Sequence, residues 1–123
     1  MRRVNPAAIA AQIYTQIPEL SLENQYISNE TGSPAADNTL VSRFVRYHVY
    51  TKERLTNLRF EWKLTLADYL GAFESISVED YPDYGLRQNP VEGDITAVRG
   101  LSRELRDRLV NRLYEAFTAP VSS

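Results

Sequence analysis

The sequence predicts an all-α domain, a small helical bundle built on a central helical hairpin. Three observations carry this. Apolar residues recur three and four apart in four separate windows. The two central windows each run about sixteen residues, longer than strands usually extend. Residues that start and stop helices flank the windows.

Asn5-Pro6 offers an N-cap followed by proline at the first helical position. Ile9, Ile13 and Ile17 follow at four-residue steps, Leu20 lies close to the same line, and Pro18 stops the pattern. A first helix is expected over 6–17. Residues 19–38 are polar, and Thr31-Gly32-Ser33-Pro34 is a turn signal, so they form a long loop of the functional or mobile kind. Tyr26 and Ile27 are the side chains that could pin its middle.

The central stretch, 39–73, holds the only Trp (Trp62) and the only His (His48). Leu40, Val41, Phe44, Tyr47, His48, Thr51 and Leu55 share one side of a helical wheel, and Arg43, Arg46, Tyr50 and Glu53 lie opposite. Leu58, Trp62, Leu66, Tyr69, Leu70 and Phe73 make a second stripe, with only Phe60 and Leu64 outside it. Asp37, Asn38 or Thr39 can cap the first helix and Asn57 the second. The expected hairpin is 39–54 and 57–73, with a core face of Leu40, Phe44, His48, Leu58, Trp62, Leu66 and Phe73. The alternative is an α+β fold with a β-hairpin near 43–64. There Phe60, Trp62, Leu64 and Leu66 alternate with polar residues, and Thr65-Leu66-Ala67-Asp68 resembles a capping box that would start a helix at 66.

Residues 74–100 contain Pro82, Pro90, Gly85, Gly93 and Gly100 among acids. They read as an irregular acidic segment with one helical turn near 95–99. A last helix is expected over 101–118, with Ser102 as cap and Leu101, Leu105, Leu109, Leu113 and Phe117 on its core face, before Pro120 ends it. The whole, 1–123, is one domain, large enough to hold a core without metal or disulfides.

Composition narrows the chemistry. No cysteine means no disulfide, no thiolate nucleophile and no Cys-ligated metal. One histidine rules out a His-rich metal site. The only acid cluster, Glu79, Asp80 and Asp83, lacks the ligand order of a calcium-binding EF-hand loop. No phosphate loop, dinucleotide fingerprint or serine elbow is present, and no cofactor is expected. Met1-Arg2-Arg3 begins like a signal peptide, but Gln12 and Gln16 interrupt the apolar stretch that follows. No run is long enough for a membrane span.

Net charge is −2, but it is unevenly spread. In 39–63, Arg43, Arg46, Lys52, Arg54, Arg59 and Lys63 face only Glu53 and Glu61. In 64–97, Asp68, Glu74, Glu79, Asp80, Asp83, Glu92 and Asp94 face only Arg87. The two segments read either as mutually pairing, solvated faces or as a dipolar surface for a charged partner. The candidate partner-binding set is Arg43, Arg46, Tyr50, Arg59 and Lys63, because guanidinium forks beside a phenol suit carboxylate or phosphate recognition. The expected function is a non-enzymatic protein-interaction or assembly module using this Arg/Tyr helix face. One alternative is a nucleic-acid or phosphate-ligand binder, against which a pI near 5.4 weighs. A second is an enzyme using His48 with an acid from 74–94.

TGSPAADNTLVSRFVRYHVY (31–50) and WKLTLADYLG (62–71) resemble a group of small uncharacterised cyanobacterial proteins, over most of the chain after residue 25. The resemblance implies a context: a cytoplasmic or thylakoid-associated bacterial protein acting as an accessory or assembly factor. It carries no functional residue over.

Overall fold

The computed structural model describes residues 4–118; residues 1–3 and 119–123, with the Pro120 stop, lie outside. Helix α1 is Pro6–Gln16, where Asn5 accepts the Ala8 N–H at 3.1 Å and Pro6 sits at the helix start. Ile13, Ile17 and Leu20 of the expected stripe are buried and Ile9 is half-buried, with Ala10 buried beside it.

The 19–38 loop is tied down rather than free. Ile27 and Pro34 form an antiparallel bridge. Asn29 N–H donates to Gly85 O at 2.7 Å, and Arg87 N–H to Ile27 O at 3.0 Å. Tyr26 stacks over the Arg43 guanidinium at 5.2 Å.

Helix α2 is Leu40–Arg46, and it continues as a π-helical turn over Tyr47–Thr51. Thr39 and Ser42 make a reciprocal capping box at its start. Every residue from Leu40 to Val45 is buried. A helix covered all round lies at the centre of the molecule. It stops short of 54 because Glu53 takes φ +51°, a left-handed conformation that no α-helix continues through.

Helix α3 is Arg59–Tyr69, shorter at both ends than the expected 57–73. Leu58, not Asn57, occupies the N-cap position, and no side chain caps this end. Gly71 at φ +73° turns the chain before Phe73 can join the stripe. Leu58 and Phe73 are therefore exposed, at 49% and 54%, rather than in the core. The β-hairpin alternative does not hold: α3 runs unbroken through 65–68, and no strand occurs among the described residues.

Residues 74–100 are more regular than expected. After a short 3-10 turn at Val78–Asp80 comes helix α4, Val91–Arg99, nine residues where one turn was anticipated. Asn89 accepts the Val91 N–H at 2.9 Å at its start. Helix α5 is Arg103–Thr118, with the Ser102 hydroxyl accepting Leu105 N–H at 3.1 Å.

The result is an all-α bundle. Helix α1 packs on α2, α5 lies against α3 and α1, and α4 closes on α3. Between α2 and α3 the core is aromatic. Phe44 stacks on Tyr69 at 5.0 Å and on Trp62 at 6.3 Å, and Trp62 stacks on Phe117 of α5 at 5.4 Å. Such rings contribute their large buried area plus about 0.5–1.5 kcal/mol per well-placed pair.

Candidate functional site

The five residues expected to form one working face do not converge. Arg43 is the clearest correction: it is 0% exposed, at the centre of the molecule. All five of its donors are used. Nε and Nη2 grip Asp94 of α4 at 2.7 and 2.8 Å. Nη1 donates to both the backbone and side-chain oxygens of Asn38, at 2.6 and 3.1 Å, and Nη2 also reaches Glu23 O at 2.7 Å. Burial opposes the charge, but the Asp94 hydrogen bond and its charge outweigh it and hold the Arg43 pKa above its ordinary value. Asp94 also accepts the Tyr81 hydroxyl, whose oxygen in turn accepts the Tyr69 hydroxyl at 2.8 Å.

A second buried network surrounds His48. Two nitrogens define its state. Nε2 lies 2.9 Å from Leu55 O, an acceptor, so Nε2 carries the proton. Nδ1, 2.8 Å from Thr65 Oγ1, therefore accepts the threonine hydroxyl. That hydroxyl in turn accepts Arg54 Nη1 at 2.8 Å, and Arg54 also binds Asp68 at 2.8 Å. Tyr47 donates to the same carboxylate at 3.0 Å. The imidazole stacks on Trp62 at 3.5 Å. Burial, opposed by the Leu55 bond and aided by the Arg54 charge, lowers the His48 pKa to about 4. No acid from 74–94 reaches the ring, so the pairing that a His48 base would need does not form.

The basic and acidic segments do meet, in part. Lys52 pairs with Glu74, as Arg43 does with Asp94. Arg46, Arg59 and Lys63 make no ion pair among the described residues.

These three and Tyr50 divide between two surfaces. Arg46 lines an open cleft of about 410 Å³ between the start of α1, the 28–38 loop and α2. Tyr50 stands nearby, half exposed, its hydroxyl 3.3 Å from Val4 O. Arg59 and Lys63 lie on α3, where Arg59 donates to Asn111 of α5 and Lys63 is exposed.

The N-terminal end of α3 bears a feature that helical spacing did not single out. Leu55, Leu58 and Phe60 are 55%, 49% and 66% exposed, within six residues of chain. The segment carrying them is fixed, not loose: Trp62 Nε1 donates to Thr56 O at 3.1 Å, and Leu55 N–H to Glu61 Oε1 at 3.3 Å. The available signal was Phe60 itself, apolar yet outside the core stripe. Among the described residues no three acid or histidine side chains converge as metal ligands, and no helix is long and apolar enough to cross a membrane. No family model matches the chain, and no curated protein or solved structure matches it either.

Proposed function

We propose that this protein is a non-catalytic interaction module that docks a partner protein on the outward end of α3. Leu55, Leu58 and Phe60 form the apolar centre, and Arg59 and Lys63 flank it. The partner presents apolar side chains beside carboxylates, complementing the two unpaired cations. Scattered exposed apolar residues are ordinary; three within six residues of a fixed segment are less so.

One observation carries this reading furthest. Leu58 occupies the N-cap of α3 with an extended backbone (φ −126°, ψ 119°) and caps nothing. Serine there would complete a Ser-x-x-Glu capping box with Glu61 and stabilise the helix by about 1 kcal/mol. An exposed leucine at a position where serine is more stable is a local sacrifice, of the kind that accompanies function. The role of accessory or assembly factor, which the cyanobacterial resemblance implies, fits such a module.

The test is affinity capture from an extract of the source cells, read by mass spectrometry, with wild type beside the Leu58→Ser/Phe60→Ser variant. A protein retained in stoichiometric amount by wild type and by Arg46→Gln, weakened by Lys63→Glu and lost with the double variant, supports the surface. Equal recovery with the double variant removes it.

A further inference from the structure

A second site lies at the Arg46 cleft, away from α3. Most polar groups in its wall are already engaged. Ser42 exchanges hydrogen bonds with Thr39 at 2.7 and 2.9 Å, and Ser28 Oγ accepts Glu30 N–H at 3.1 Å. Three groups stay without a partner among the described residues: the Arg46 guanidinium, the Asp37 carboxylate and the Asn38 Nδ2. Asn38 is oriented from within, because the buried Arg43 holds its Oδ1 at 3.1 Å and leaves Nδ2 as the free end. Arg46 and Asp37 line the same cleft yet form no ion pair among the described residues, so their charged atoms stand more than 4.0 Å apart and neither caps the other. A smaller hollow of about 190 Å³ opens beside it, walled by Ala10, Ala11, Tyr14 and Leu22. The two spaces share Ala7, Ala36 and Asp37.

The order of the groups is therefore donor fork, carboxylate, apolar hollow, with the carboxylate at the junction. From this we infer that the cleft binds a free α-amino acid with an apolar side chain. Its carboxylate meets the Arg46 fork and the Asn38 amide, a pairing that planar guanidinium donors favour. Its ammonium, one bond from the same carbon, meets Asp37. Its side chain enters the hollow. A phosphate or other dianion is disfavoured, because Asp37 repels what Arg46 attracts. The volume of the cleft lies within the range of small-molecule sites.

The experiment is a titration of the ¹⁵N-labelled protein with L-leucine and L-phenylalanine, followed by amide chemical shifts. Saturable shifts at Ala7, Ala11, Asp37, Asn38 and Arg46 are expected. N-acetyl-leucine, lacking the ammonium, and leucinamide, lacking the carboxylate, should each bind roughly tenfold or more weakly. Arg46→Gln and Asp37→Asn should each abolish saturation with unchanged Tm, since neither side chain supports the fold. The inference is overturned by the absence of saturable shifts with both amino acids, by equal binding of either blocked derivative, or by normal binding in both variants. Capture through α3 is independent of all these outcomes.

Discussion

Arg43 and Asp94 meet as a bidentate pair, Nε to Oδ2 at 2.7 Å and Nη2 to Oδ1 at 2.8 Å, with both side chains essentially removed from water. The pair joins α2 to α4, and the remaining guanidinium donors join both to the 19–38 loop. Its satisfaction is complete on the arginine side, which is the condition for a buried ion pair to be tolerated at all. Removing one partner strands the other. Arg43→Met should therefore destabilise by about 3–5 kcal/mol in urea denaturation. Arg43→Met with Asp94→Asn should lose clearly less than the sum of the two single changes, because the stranded charge is gone. Additive losses would mean that the pair is not coupled.

His48 sets a pH window for stability. Its folded pKa of about 4 lies below the ordinary 6.5, so the unfolded chain takes up the proton first. The contribution is complete above pH 6.5, falls as the pH drops toward 4, and does not fall further below that. The difference corresponds to about 3 kcal/mol over the window. Arg54, whose Nη1 bonds the same Thr65 hydroxyl, adds charge repulsion to the imidazolium. Unfolding free energies measured at pH 7 and pH 5 should differ in wild type, and His48→Gln should flatten that difference. An unchanged slope in the variant would assign the window to other groups.

Much of the fold was legible in the chain, for a physical reason. Helix periodicity and caps are local, so Asn5-Pro6, the Ile9–Ile13–Ile17 stripe and the Leu109–Leu113 stripe located their helices without help from the rest. Arg43 was not legible, because a helical wheel knows only its own helix. The groups that hold it come from positions 23, 38 and 94; Asn38 stands just before its own helix, but Glu23 and Asp94 are brought in by tertiary packing. Helix α4 was hidden by Gly93 and its acidic neighbours, although an Asn-Pro pair precedes it as one precedes α1; here Pro90 rather than the asparagine holds the N-cap position, and Asn89 bonds the Val91 N–H from one residue further out. The five candidate residues were chosen as one face; Arg43 is buried, and the others divide between two surfaces because Arg46 and Tyr50 lie on α2 and its continuation while Arg59 and Lys63 lie on α3. The exposed apolar end of α3 was half visible, as Phe60 standing outside its stripe.

Replacing Leu58 by serine separates stability from docking. The backbone at this position is already that of an N-cap, and Glu61 is three residues on. The variant should gain about 1 kcal/mol in chemical denaturation. If docking runs through α3, the same variant, and more so Leu58→Ser with Phe60→Ser, should lose partner binding while becoming more stable. A loss of stability instead would mean that Leu58 packs as a core residue.

Gly93 offers the sharpest test of how the loop and α4 fit. Gly93 is the third residue of α4, and within a helix alanine is ordinarily better than glycine, by up to about 1 kcal/mol in the interior and less in the first turn. Here an added Cβ would lie 2.2 Å from the Tyr26 hydroxyl oxygen and 3.6 Å from the ring carbon that bears it. Only the hydroxyl is in the way. Tyr26 cannot swing aside freely, since its ring covers the Arg43 guanidinium. Gly93→Ala alone should therefore destabilise, despite its helix propensity, by about 1–3 kcal/mol, as overpacking does. Adding Tyr26→Phe removes the clashing oxygen, leaves the ring over Arg43 and restores the propensity gain. The double variant should be at least as stable as Tyr26→Phe alone, so Gly93→Ala changes sign with the partner. A destabilisation of the same size in both backgrounds would show that the glycine is needed for its backbone and not for the space Tyr26 takes.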